Sequence, residues 1–214
     1  MGDTGQPGTE TAATVDLLNP EVLRPHVAGR RLIVGLTGGI AAYKVCTVVS
    51  RLAQAEAYVT VLMTEPATRF VTPLTFQALS GRPVYTSAWE HIESHDPQHI
   101  ALADSADAVL VAPCTMDFMA SLAFGRANNV VSLVLSAVDR SKTPVLLAPS
   151  MNEVMWNQPA TKRNVEQLGA DGFGMVGPGS GWQACRHVGT GRMAEPADLL
   201  GALSACLRGR RPHA

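Results

Sequence analysis

An α/β fold of three layers, a parallel sheet covered by helices on both faces, is predicted by three features of this 214-residue sequence. Its apolar runs are short and apolar throughout, as in strands buried on both sides, instead of alternating with polar residues. Stretches with helical spacing separate them, the pattern of strand–helix–strand crossovers. Several runs end in Gly, Thr, Pro or Asn, residues typical of loops that carry chemistry.

The elements follow in chain order. Residues 1–28 are rich in Gly, Thr, Ala and Pro, with a short Val15-Asp16-Leu17-Leu18 patch, and read as a mobile N-terminal arm able to dock on a neighbour. From Arg31 the pattern changes. Leu32-Ile33-Val34-Gly35-Leu36 is the first expected strand, ending in Thr37-Gly38-Gly39, with a helix over 40–55. Further strands are expected at 58–63, 108–112 and 144–148, and a weaker one at 173–176. Helical spacing marks 73–80, 117–123, 130–137 and 161–168, two turns at Gln98-His99-Ile100-Ala101-Leu102, and a closing helix over 197–207. The expected organisation is a single domain over 29–208, followed by a basic tail at 209–214.

Composition excludes several functions. A chain of this length makes one domain whose core needs no staples. Apolar content of 46% with 16% charge suits an Ala/Val/Leu-rich α/β subunit that also buries surface against copies of itself. Net charge is −1 and the basic cluster is confined to Arg208-Gly209-Arg210-Arg211, so nucleic-acid binding is not expected. Cys46, Cys114, Cys185 and Cys206 form no C-x-x-C pair, which argues against a disulfide framework and a zinc site. With no run of transmembrane length and no signal pattern, a reducing cytoplasm and no membrane partner are expected.

Six segments carry candidate chemistry. The strand–Thr37-Gly38-Gly39-Ile40-Ala41–helix turn offers backbone N–H groups and a helix N-terminus to one phosphate. Its spacing matches neither the dinucleotide fingerprint nor the P-loop, and a tight turn without a ligand reads equally well. After the second strand, Thr64 and Thr68 are candidate hydroxyl donors and Phe70 a stacking ring, against the alternatives of a helix cap and a core residue. His99 is a candidate general base because it leads into a strand whose end faces the Gly38-Gly39 turn. His91 and His95 share that region, but Pro97 interrupts their spacing and no Cys or acidic group completes a site, so no metal is expected.

The next two segments are strand ends: Pro113-Cys114-Thr115-Met116-Asp117-Phe118 and Pro149-Ser150-Met151-Asn152. Ligands of open parallel sheets bind outside the carboxyl ends of strands, so both loops should face the crevice shared with Gly38-Gly39. Cys114 as core packing and Asp117 as a helix N-cap remain equally available. Last comes a Gly-rich loop, Gly181-Trp182-Gln183-Ala184-Cys185-Arg186-His187-Val188-Gly189-Thr190-Gly191-Arg192-Met193, which holds a lone thiol.

Taken together, these segments resemble the homo-oligomeric flavin-containing cysteine decarboxylases. That family includes phosphopantothenoylcysteine decarboxylase and the peptidyl-cysteine decarboxylases of lantibiotic and related pathways. The resemblance runs from about residue 31 to 207 and rests on Gly35-Leu36-Thr37-Gly38-Gly39-Ile40-Ala41-Ala42-Tyr43-Lys44, on His99, and on the three loops just quoted. It implies a Rossmann-like or flavodoxin-like domain that binds FMN. The phosphate would sit at Gly38, Gly39, Ile40 and Ala41, and the ring near Thr64, Thr68, Phe70, Pro113, Cys114, Thr115 and Met151. It also implies trimers, or dodecamers built from trimers, with the flavin between subunits. By the same resemblance His99 is the base, Asn152 contacts the substrate carboxylate, and Cys185 is an acid on a mobile flap.

The chemistry can be reasoned separately. A saturated cysteine carboxylate has nowhere to place the electrons left by carbon dioxide. Oxidation to a thioaldehyde first supplies that place, and flavin is a suitable hydride acceptor. His99 would then deprotonate the thiol, and Asn152 would orient the carboxylate without a charge that holds it back.

Departures from the family pattern bear on the substrate. Asp117 stands where an Asn is usual, and an ionised Asp would repel a carboxylate. Arg186-His187 follow Cys185 where the bacterial phosphopantothenoylcysteine enzymes carry Gly-Asp. Those enzymes are commonly fused to a synthetase domain, for which a chain of 214 residues has no room. The expectation is therefore oxidative decarboxylation of a peptide's C-terminal cysteine to an enethiol, in peptide natural-product biosynthesis. Phosphopantothenoylcysteine decarboxylation in coenzyme A synthesis is the alternative, favoured by retention of Cys185. A flavin-binding regulator without turnover is a second alternative. A flavin prenyltransferase shares the fold, but Met151-Asn152 and Gly191-Arg192-Met193 argue against it.

Overall fold

The computed structural model describes residues 16–89 and 97–210. Six parallel strands form one sheet: β1 (Arg31–Leu36), β2 (Tyr58–Met63), β3 (Val84–Tyr85), β4 (Ala108–Cys114), β5 (Val145–Pro149) and β6 (Gly174–Met175). Their order is β3-β2-β1-β4-β5-β6. Chain order therefore reverses between β1 and β4, and a crevice opens beyond their carboxyl ends.

Continuous apolarity in the strands is explained by two cores. Leu32, Val34 and Leu36 of β1 face one of them, with α1 (Pro20–Val27), α2 (Ala42–Gln54), α3 (Pro73–Ser80) and α9 (Pro196–Leu207). Ile33 faces the other, packed with α4 (Gln98–Ser105), α5 (Met116–Ala123), α6 (Val130–Ala137) and α8 (Pro159–Ala170). Burying a leucine or valine in either layer is worth about 1.5–3 kcal/mol, so both faces of the sheet must be covered. A Cβ on Gly35 would stand 2.7 Å from Val131 Cγ1, which is how α6 reaches the sheet.

The arm expected over residues 1–28 is corrected in its second half. Asn19 caps α1 by accepting from the Glu21 N–H, and Pro20 stands at its first position. Leu23 and Val27, one helical turn apart, are fully buried in the core shared with α9. The first fifteen residues and 211–214 lie outside the described residues, as do His91 and His95.

Further elements have no counterpart in the expected list. The short β3 extends the sheet beyond β2. A single turn, α7 (Glu153–Trp156), follows the Asn152 loop. The Gly-rich loop is an antiparallel hairpin, β7 (Gly179–Trp182) with β8 (Val188–Arg192). Its glycines conceal any strand alternation, so the backbone pairing is invisible in composition.

Candidate active site

The crevice at the switch point is a cavity of about 1060 Å³. Its floor is the turn after β1. The Thr37 hydroxyl donates to the Pro113 carbonyl at 2.7 Å and accepts from the Thr115 N–H at 3.0 Å, joining the ends of β1 and β4. No backbone hydrogen bond found among the described residues uses the N–H of Gly38, Ile40 or Ala41. Beside them the 13-residue α2 begins, adding the positive end of its dipole. A Cβ on Gly38 would lie 2.5 Å from Pro66 Cβ, so only glycine lets this turn close on the segment after β2.

That segment supplies Thr64, buried at the end of β2. It starts a short 3₁₀ turn (Glu65–Arg69) without capping it, and its hydroxyl has no partner among the described residues. A buried unpaired hydroxyl costs about 1–3 kcal/mol, and this one lines the cavity. Phe70, about half exposed, lines the same wall, so it is not the core residue of the alternative reading.

The opposite wall comes from the strand ends. Thr115, not Asp117, caps α5, accepting from the Phe118 N–H. Asp117 is exposed in the first helical turn, where a negative charge meets the N-terminal dipole. Asn152 caps α7, its Oδ1 accepting from the Met155 N–H at 2.8 Å. With the oxygen committed, the Asn152 NH₂ is left as a donor to an anion. Met151 ties this loop to the hairpin through its N–H and the Gly191 carbonyl, 2.9 Å apart.

The hairpin closes the cavity with Cys185 at its tip. The thiol is exposed and donates to Gln183 Oε1 at 3.4 Å. At the hairpin's base, Arg192 and Lys44 both reach Glu195 Oε1, at 2.6 and 2.9 Å. Two cations on one carboxylate leave a surplus positive charge where both line the cavity.

Gly38, Gly39, Ile40, Ala41, Thr64, Phe70, Thr115, Met151, Asn152, Asp117 and Cys185 thus meet at one cavity. Four expected residues do not line it. Thr68 turns its hydroxyl back to the Glu65 carbonyl at 2.7 Å. Pro113 packs beneath Gly39. Cys114 is buried within β4, and burial pushes its thiol far above the usual range, so it is core packing. His99, half-buried at the start of α4, does not line the cavity of its own chain.

Lys44, Pro66, Asn128, Asn129, Trp182 and Gln183 are lining residues that sequence reasoning left without a role. Lys44, Trp182 and Gln183 adjoin motifs already singled out. Asn129 carried only a capping signal, and it does cap α6. No group of three or more metal-ligating side chains occurs among the described residues.

A family model described as Flavoprotein matches residues 23–208. The coenzyme A biosynthesis bifunctional protein CoaBC of Haemophilus influenzae is 44% identical over 176 residues, covering 82% of this chain and 43% of that protein. This chain therefore spans about two fifths of the length of such relatives. Among solved structures, the FMN-dependent cysteine decarboxylase SpaF superposes with a TM-score of 0.73 at 29% identity, covering 84% of this chain and 96% of that one. A PPC decarboxylase mutant complexed with pantothenoylaminoethenethiol gives a TM-score of 0.72 at 26% identity, covering 82% and 97%.

Proposed function

The chain belongs to the Flavoprotein family, and from that premise we propose that it is an FMN-dependent decarboxylase of N-acylated cysteine, acting on phosphopantothenoylcysteine. The observation that carries the reading is the convergence of the 38–41 turn, the Asn152 amide and the Cys185 thiol on one cavity. The cavity fits FMN on this chain's own features. The unpaired Thr64 hydroxyl needs a polar partner, and the turn after β1 offers N–H groups and a helix dipole to a phosphate.

When bound, the flavin supplies a two-electron acceptor that takes a hydride from the substrate and can return it. The protein's part is positioning. Asn152 donates to the carboxylate while its oxygen stays committed to α7, so the amide cannot turn away. Being neutral, it leaves the carboxylate free to depart as carbon dioxide. Asp117 sits in the same cavity, and its exposure allows water to separate it from the substrate. His99 is the base toward the substrate thiol, and its absence from the lining of its own cavity supports delivery from a neighbouring subunit in a homo-oligomer.

Identity of 44% to the coenzyme A biosynthesis protein outweighs the three departures that pointed to a peptide. Peptidyl-cysteine oxidation is the second reading, favoured by the likeness to SpaF and by Arg186-His187 beside the thiol. Mass spectrometry of products from the two substrates, offered separately, decides. Phosphopantothenoylcysteine losing only carbon dioxide supports the first reading. A cysteine-terminated peptide losing carbon dioxide and two hydrogens, with the other substrate untouched, would overturn it.

A further inference from the structure

Gln183 sits just beyond β7, inside the hairpin and 8% exposed. Its side-chain nitrogen donates across to the carbonyls of Gly189 at 3.3 Å and Thr190 at 3.0 Å. Carbonyls only accept, so these two contacts set which way the amide faces. The amide oxygen is thereby turned to Cys185, where it accepts from the thiol. The backbone of Gln183 closes the same turn, its N–H bonding the His187 carbonyl at 2.8 Å and its carbonyl accepting from Arg186 at 2.9 Å. One side chain thus ties the two strands together and aims the group at their tip.

We infer that Gln183 is a positioning residue that holds Cys185 Sγ in place for proton delivery. This rests on the reading of Cys185 as the acid of the reductive half-reaction. In that half the Sγ–H bond breaks and its proton goes to Cα of the enethiolate left by carbon dioxide. The hydride taken earlier from Cβ returns to Cβ, and the product thiolate regains the proton lost at the start. Cys185 thiolate is reprotonated from water, to which the hairpin tip is exposed. A thiol free to rotate at an exposed tip would meet Cα less often, and the enethiol would escape instead.

The test uses the flavin-loaded full chain with phosphopantothenoylcysteine and reads three quantities: flavin reduction rate, the ratio of enethiol to thiol product, and Cys185 alkylation by iodoacetamide in flavin-free protein. Gln183→Leu keeps size and loses all three side-chain contacts; Gln183→Glu keeps an acceptor and loses the donors. Losing one hydrogen bond predicts an enethiol fraction about five- to tenfold higher in Gln183→Leu, with flavin reduction within about twofold of the parent. Alkylation of Cys185 should rise severalfold, and Gln183→Glu, which lacks the donors that aim the oxygen, should resemble Gln183→Leu. Gln183→Ala carries the expectations of Gln183→Leu if the latter does not fold.

An unchanged product ratio, or equal loss in both half-reactions, would overturn the inference. So would a parental product ratio in Gln183→Glu, because the two donor contacts would then not be what aims the oxygen at Cys185. Cys185→Ala separates the two levels: a parental product ratio there removes the acid reading itself, and the role of Gln183 with it.

Discussion

Thr64 follows β2 with its hydroxyl buried and without a partner among the described residues. Under the proposed flavin site such a residue is a cost in the empty protein and a contact in the loaded one. Thr64→Val should therefore stabilise the flavin-free chain by about 1 kcal/mol, measured by urea unfolding, since an unsatisfied group is removed. The same variant should bind FMN about five- to tenfold more weakly by fluorescence titration, having lost one hydrogen bond. Equal affinity would remove Thr64 from the flavin site. In the sequence this residue reads as a donor or a cap with no means of choosing. The choice lies in the 3₁₀ turn, which starts without using the hydroxyl.

At the scale of elements, the hairpin β7–β8 is held to the rest of the site by contacts with the Asn152 loop. Glu153 Oε1 accepts from the Thr190 N–H at 3.3 Å, and the Met151 N–H donates to the Gly191 carbonyl. Gly191 has a φ of 120°, and a Cβ there would stand 2.5 Å from the Met151 carbonyl oxygen. Gly191→Ala meets both backbone strain and a clash. A strain of about 1–3 kcal/mol is expected, which for a domain of this size lowers Tm by about 2–12 °C in calorimetry. Loss of hairpin docking should also slow turnover more than it weakens flavin binding, because the phosphate turn lies on another element. A Tm equal to the parent's would contradict the docking.

For the whole molecule, the absence of His99 from the lining of its own cavity makes a prediction about assembly. If a neighbour supplies the base, His99→Asn and Asn152→Ala are defects in different subunits of one site. Co-expressing the two inactive chains should restore up to about a quarter of parental activity in a cyclic oligomer, because random mixing reunites intact partners at that frequency. No recovery in isolated mixed oligomers would place His99 outside the site. The apolar side chains of Ile40, Tyr43 and Phe70 at the cavity mouth are about half exposed in the single chain, as surface awaiting a neighbour would be.

The sequence by itself determined the layered α/β class, because strands apolar on both faces admit no other covering. It also located the loops after β1, β4 and β5, since Gly38-Gly39, Thr115 and Asn152 interrupt those patterns where strands end. Only the tertiary structure decided which of those residues meet. Cys114 and Thr115 are neighbours in the chain, yet one is buried and the other lines the cavity, because β4 ends at Cys114 inside the sheet and Thr115 lies beyond it as the cap of α5. Helix α1 was hidden because Leu23 and Val27 gain their partners from α9 at the far end of the chain. The Gly-rich hairpin was hidden because backbone pairing and close approach, the features glycine permits, leave no side-chain pattern to read.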